Sequence, residues 1–182
     1  MRRSEPAIAL RPVEPGDRDL LLEWANDPAT RAASFYPARI EPDAHRRWFA
    51  ARLGSPDAGI WIGEIEGRPI GQVRVIRTDG TKGEVSISLA TEARGRGLAR
   101  PLLLAALSEA AERLGVTTFV AAVRPGNGAS LALFRGAGFS DELPGERNGV
   151  PCRVLVRRRA PVPDGSAPTN GARGVRTATR CS

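Results

Sequence analysis

The residues between Glu84 and Val123 constrain the fold of this chain more than any others. Glu84-Val85-Ser86-Ile87-Ser88-Leu89-Ala90 alternates polar and apolar side chains, the period-two pattern of a half-buried strand. Residues 97–114 follow as an Ala/Leu-rich helix closed by Gly115, and residues 116–123 form a β-branched run that reads as a second strand. Strand, helix and strand at this spacing predict a parallel pair with a crossover helix, since a tight turn cannot join parallel neighbours.

Upstream, residues 60–65 and 69–76 are strand-like and are separated from each other and from Glu84 by Glu66-Gly67 and Asp79-Gly80 turns, which predicts an antiparallel meander of three. Residues 7–13 read as a first strand. Residues 17–25 read as a helix stopped by Asn26-Asp27-Pro28, and a second helix starts at Glu41-Pro42-Asp43 and ends near Leu53. Residues 127–137 predict a helix closing on Gly138-Phe139, and residues 150–156 a final strand. The order describes a mixed α/β sheet in one domain over residues 1–159. Residues 160–182 are Pro, Gly, Ser, Thr, Ala and Arg with almost no large apolar side chain, so burial cannot offset their ordering entropy and a disordered tail is expected.

A chain of 182 residues, 41% hydrophobic, can bury a continuous core. No apolar run approaches the roughly 20 residues that cross a bilayer, and no signal segment follows Met1, so a cytoplasmic protein without a membrane partner is expected. Cys152 and Cys181 belong to no metal-type cluster and read as free thiols; no metal is expected. The formal charge of +7 is carried by arginine, since Lys82 is the only lysine. Such an excess suits an anionic ligand or a plain solvated surface, and composition does not choose. RNA binding needs exposed aromatics on a sheet face and a continuous basic stripe; neither is evident, and no nucleic-acid partner is expected.

The loop Arg94-Gly95-Arg96-Gly97-Leu98-Ala99 joins the first strand of the crossover unit to its helix. Its glycines let backbone approach a ligand, the helix start offers unpaired N–H groups and the positive end of the helix dipole, and Arg94, Arg96 and Arg100 add charge. A pyrophosphate suits such a place. A solvated turn is the alternative.

Residues 89–99 resemble the signature of the GNAT superfamily of N-acetyltransferases, Arg/Gln-x-x-Gly-x-Gly/Ala after a central strand. Asn127-Gly128-Ala129-Ser130-Leu131-Ala132-Leu133-Phe134-Arg135-Gly136-Ala137-Gly138-Phe139 resembles the family's second motif, Asn-x-x-Ser-x-x-Leu-Tyr-x-x-x-Gly-Phe. The resemblance runs from Leu10 to about Val156. It implies the GNAT fold, with two parallel strands splaying around the pantetheine of acetyl-CoA, and transfer of an acetyl group to an acceptor amine. The backbone of Leu89 and Thr91 is then expected to bond the pantetheine and acetyl groups, Arg94, Gly95, Arg96, Gly97, Leu98 and Ala99 to hold the pyrophosphate, and Asn127, Ser130 and Phe134 to touch the cofactor arm. Asn127 also fits a helix N-cap, a reading compatible with the first. Phe134 stands where the family often has tyrosine, the usual proton donor to the leaving thiolate, so the general acid stays unassigned.

Glu84 shares a strand face with Ser86 and Ser88. It is either a general base acting through water or a solvated strand-end charge. Nearer the N-terminus, Trp24-Ala25-Asn26-Asp27-Pro28-Ala29-Thr30-Arg31, Ser34-Phe35 and Asp43-Ala44-His45-Arg46-Arg47-Trp48-Phe49 resemble the subgroup that acetylates nucleotide-linked 4-amino sugars, as in pseudaminic acid biosynthesis; ribosomal-protein alanine acetyltransferases share a related arrangement. The resemblance implies a small-molecule amine bound by Trp24, Asn26, Arg31, Phe35, His45 and Trp48. Packing in the core is the alternative for Trp24 and His45. Protein N-terminal acetylation and a non-catalytic acyl-CoA sensor are the rival functions, and a homodimer is left open.

Overall fold

A computed structural model describes residues 7–159; residues 1–6 and the expected tail at 160–182, with Cys181, lie outside the described residues. The elements are β1 (Ala9–Pro12), a 3-10 turn (Pro15–Asp17), α1 (Arg18–Asn26), α2 (Pro28–Ala33), α3 (Pro42–Arg52), β2 (Ala58–Ile65), β3 (Arg68–Asp79), β4 (Lys82–Leu89), a second 3-10 turn (Thr91–Ala93), α4 (Ala99–Leu114), β5 (Thr118–Val123), α5 (Gly128–Gly136), β6 (Ser140–Arg147) and β7 (Val150–Arg158). They form one seven-stranded sheet in the order β1-β2-β3-β4-β5-β7-β6. Every neighbouring pair is antiparallel except β4 and β5, so the mixed α/β sheet and its crossover helix are as expected.

Two elements differ from the sequence expectation. Asn26-Asp27-Pro28 ends α1 but also starts α2, because Asp27 accepts the Thr30 N–H and Pro28 occupies the first turn, where its missing donor is not needed. β6 was not anticipated. It carries Pro144 and Gly145, which suit an outermost strand that pairs on one side only.

The sheet separates two cores. One face packs Val73, Val75 and Val85 against α4 and α5 through Leu102, Leu103, Ala106 and Phe134. The other packs Ile60, Ile62 and Ile70 against α1 and α3 through Leu21, Trp24 and Phe49. No described helix is long and apolar enough to cross a membrane.

The parallel pair is short. Lys82, Gly83 and Glu84 register with Thr118, Phe119 and Val120, and there the pairing ends. Gly83 leaves room for core side chains over this pair: a Cβ on it would stand 2.9 Å from Val75 Cγ1 and 3.0 Å from Val116 Cγ1. β5 meanwhile stays paired with β7 along all of residues 118–123, so it departs with the second half of the sheet while β4 stays with the first.

Candidate active site

The splay leaves one edge of β4 without a strand. The Ala90 N–H donates to the Ile70 carbonyl at 3.0 Å, and hydrogen-bonded pairs alternate along an antiparallel ladder, so Leu89 turns its N–H away from β3 toward the edge that β5 has left. The Leu89 carbonyl on that edge accepts Arg94 Nε at 3.2 Å.

The chain then makes its 3-10 turn and enters the loop to α4. Gly95 and Gly97 adopt φ of 70° and 76°, and nothing lies within 4 Å of where a Cβ would stand on either. Glycine is required there for its backbone conformation, and the space beside it is open. Ala93 and Leu98 are buried and anchor the loop to the core. The first-turn N–H groups of α4 lack helical partners and carry the positive dipole end. Arg96 and Arg100 are exposed, and no ion pair holds either among the described residues. This cradle fits a pyrophosphate. The Arg94 guanidinium is bound to Asp27 Oδ1 at 2.7 Å and Thr30 Oγ1 at 3.3 Å.

Those contacts tie α2 across the splay. Asp27 caps α2, takes the Arg94 hydrogen bond and accepts the Thr91 hydroxyl at 3.2 Å on its other oxygen. The Arg94 guanidinium, with the Thr30 N–H, lowers the Asp27 carboxyl to about 2. At the far end of α2, Arg124, the residue after β5, donates to the Ala32 carbonyl at 2.8 Å and the Ser34 carbonyl at 3.3 Å. The helix thus reaches from the end of β4 to the end of β5. A cavity of about 630 Å³ lies on the β5 side, lined by Ala29, Ala32, Ala33, Arg124, Asn127 and Pro151. Another, of about 520 Å³, lies on the β4 side between Trp24, Asn26, Asp27, Thr91 and Arg94.

Below α2, the sheet face opposite α4 carries Gln72 and Arg74 of β3 beside Ser88, Ser86 and Glu84 of β4. The Arg74 guanidinium lies 5.1 Å from the centre of the Trp48 ring, and burial lowers its pKa from the ordinary value despite the attraction of Glu84. Arg147 donates to both oxygens of Glu84, Nη1 to Oε1 at 2.7 Å, and its guanidinium lies 5.9 Å from the Phe35 ring centre. Asn148 donates to the Phe35 carbonyl at 3.3 Å.

A family model described as an acetyltransferase (GNAT) domain matches residues 8–140, including the open β4 edge, the glycine loop and the Asn127 cap. The chain belongs to the GNAT acetyltransferase family. Membership makes it an acetyltransferase, and among solved GNAT structures it shares the fold of a spermidine N-acetyltransferase from Vibrio cholerae in complex with CoA and spermine, at TM-score 0.72 and 22% identity, covering 83% of this chain and 95% of that one. An aminoglycoside acetyltransferase with coenzyme A and kanamycin aligns at TM-score 0.72 and 20% identity, covering 84% and 95%. A putative acetyltransferase from Salmonella typhimurium with acetyl-CoA aligns at TM-score 0.68 and 23% identity, covering 88% and 99%. Among curated protein sequences none matches.

Within this GNAT domain several expected site residues are engaged in the fold. Asn127 caps α5, its Oδ1 accepting the Ser130 N–H at 3.1 Å, a bond worth about 1 kcal/mol to the helix. Phe134 is buried in the core, edge-on to Phe139 at 5.0 Å. Leu98 is likewise buried.

On the acceptor side, Trp24 is buried among Leu21, Ile62 and Phe49. Asn26 bonds both polar groups of Ile40, donating at 2.9 Å and accepting at 2.8 Å. Arg31 donates to the Tyr36 carbonyl at 2.8 Å. His45 is buried beside Trp48 and Phe49, and burial lowers its pKa. Among these four, Arg31 Nε and His45 Nδ1 are shut off from solvent and have no hydrogen-bond partner among the described residues. Phe35 and Trp48 remain at the polar face with Arg74 and Arg147, neither of which sequence reasoning placed there. Glu84 is held by the Arg147 fork, and five residues of strand, about 17 Å at ~3.3 Å per residue, separate it from Leu89. Both carboxylate oxygens are engaged by Arg147, so action as a general base requires Glu84 to leave that fork.

Proposed function

We propose that this acetyltransferase uses acetyl-CoA to acetylate a small amine carrying an anionic group, with a nucleotide-linked amino sugar as the acceptor class that fits best. The observation that carries the reaction is the unpaired edge of β4 at Leu89 leading straight into the glycine cradle at the start of α4. Bound acetyl-CoA supplies an activated thioester carbonyl. The Leu89 N–H is aimed to donate to that carbonyl oxygen, where negative charge grows during attack; a preorganised donor of this kind is typically worth about 10²- to 10³-fold in rate. Thr91 extends the same backbone toward the cradle, where Gly95, Arg96, Gly97 and Ala99 present backbone and charge to the pyrophosphate. α2, tied down at Asp27 and Arg124, holds amine and thioester together and excludes water.

The acceptor reading rests on Arg74 over Trp48 and Arg147 beside Phe35. Cations backed by aromatic rings suit a diphosphate and a sugar or base face better than they suit a polycation. A polyamine or aminoglycoside acceptor is the second reading. It is favoured by Asp19, Glu23 and Glu92 around the cavity beside α1, and by the spermidine and aminoglycoside acetyltransferases that share the fold. The test is a panel of nucleotide-linked amino sugars, polyamines, aminoglycosides and N-terminal peptides incubated with acetyl-CoA and the protein. Highest kcat/KM on the nucleotide-linked sugar supports the first reading, and highest on a polycation or a peptide replaces it.

A further inference from the structure

Gln72 of β3 and Ser88 of β4 are register partners on the polar sheet face. Gln72 Oε1 and Ser88 Oγ are both shut off from solvent and accept or donate no hydrogen bond among the described residues. Natural structures keep few buried polar atoms in that state, and two directly across one ladder rung are rarer than one. Their Cβ atoms are expected roughly 5 Å apart, a span that one nitrogen with two N–H groups bridges. Ser88 is also the residue before Leu89, so a group seated on the pair lies about one residue, ~3.3 Å along the strand, from the backbone donor that faces the open edge.

The other unpartnered buried atoms are differently placed. His45 Nδ1 lies within the aromatic contacts of α3, and Arg31 Nε and Arg157 Nη1 belong to guanidinium groups that cannot accept from an amine. Among the described residues only Gln72 and Ser88 put two unpartnered buried oxygens on one ladder rung. Arg74 stands two residues along the same face of β3, so the pair can take one amine and the neighbouring position opposes a second cation.

We infer that Gln72 and Ser88 are the docking pair for the acceptor amine, whose N–H groups donate to Gln72 Oε1 and Ser88 Oγ while its nitrogen faces the thioester beside Leu89. The inference deepens the N-acetyltransferase reading and rests on it. Arg74 then meets the anionic part of the same acceptor, which makes the spacing of amine and anion the specificity rule of the site.

The test is steady-state kinetics and thermal melting of the full chain as Gln72→Met and Ser88→Ala, with a nucleoside-diphosphate-linked 4-amino sugar and spermidine as amine probes. For the probe turned over faster by the parent, each variant should raise the amine KM roughly tenfold, the loss of a hydrogen bond to a charged partner. The KM for acetyl-CoA should stay put, and the melting temperature should hold or rise, because neither group has a protein partner to lose. An unchanged amine KM in both variants overturns the inference while leaving the enzyme reading intact. So does a parallel rise of both KM values with a lower melting temperature, which marks a structural role. A parent that turns over neither probe yet acetylates a peptide removes the small-amine reading and the inference together.

Discussion

Arg147 grips Glu84 with a two-pronged hydrogen bond that joins the tip of the β6–β7 hairpin to the last paired rung between β4 and β5. The carboxylate that the sequence leaves open as a general base or a solvated strand-end charge is thereby paired with a cation. Glu84→Gln should accordingly raise the KM for the amine several-fold and leave kcat within about tenfold of the parent, short of the 10²- to 10⁴-fold range of general-base removal. Steady-state kinetics at several pH values decides it; a larger kcat loss that recovers as pH rises would restore Glu84 as the base.

Gly97→Val should weaken acetyl-CoA binding by roughly tenfold or more, about 1.4 kcal/mol. The residue sits at φ 76° with nothing within 4 Å of an added β-carbon, so the obstacle to valine is the backbone conformation that shapes the cradle. Calorimetry reads the affinity. Equal binding by the variant would separate the loop from the pyrophosphate.

Asp27 ties the second helix to Arg94, and its folded pKa of about 2 lies below the ordinary 3.8. Such a depressed carboxyl contributes stability that is complete above 3.8 and is lost as pH falls toward 2. In Asp27→Asn the melting temperature should be lower than the parent's at pH 7, and the gap should narrow through that acid window. A gap of constant size from pH 7 to 2 would show that the ion pair does not act through charge.

His45 titrates in the opposite chemical sense but loses stability on the same side. Burial favours its neutral form, so the unfolded chain takes up the proton first and stability falls as pH drops below the ordinary 6.5. His45→Leu should flatten the melting-temperature curve between pH 7.5 and 5.5. An unaltered slope would mean the folded imidazole accepts its proton freely.

The glycine loop was legible because positive φ and a helix start leave a local signature: Gly95, Gly97 and the Ala/Leu run behind them suffice. The meander and the crossover unit were legible from period and turn residues in the same way. α2 was not, since Asp27-Pro28 signals a stop and a start equally and only the tie to Arg94, 67 residues away, shows which follows. β6 lacks β-branched residues because an outer strand does not demand them. The acceptor face was least visible: Phe35, Arg74, Glu84 and Arg147 meet through sheet register and a hairpin tip, and no local pattern in the sequence records that meeting.

In the proposed reaction the opened edge of β4 and the cradle beyond it present an acetyl thioester to an amine. Its most direct test is release of free CoA thiol from acetyl-CoA by the purified protein, with and without each amine of the panel, alongside mass analysis of the amine. Thiol release should depend on an amine, saturate with it and match the acetylated product one for one. Tight acetyl-CoA binding with no amine-dependent thiol release from any member of the panel would contradict it and leave a sensor in place of an enzyme.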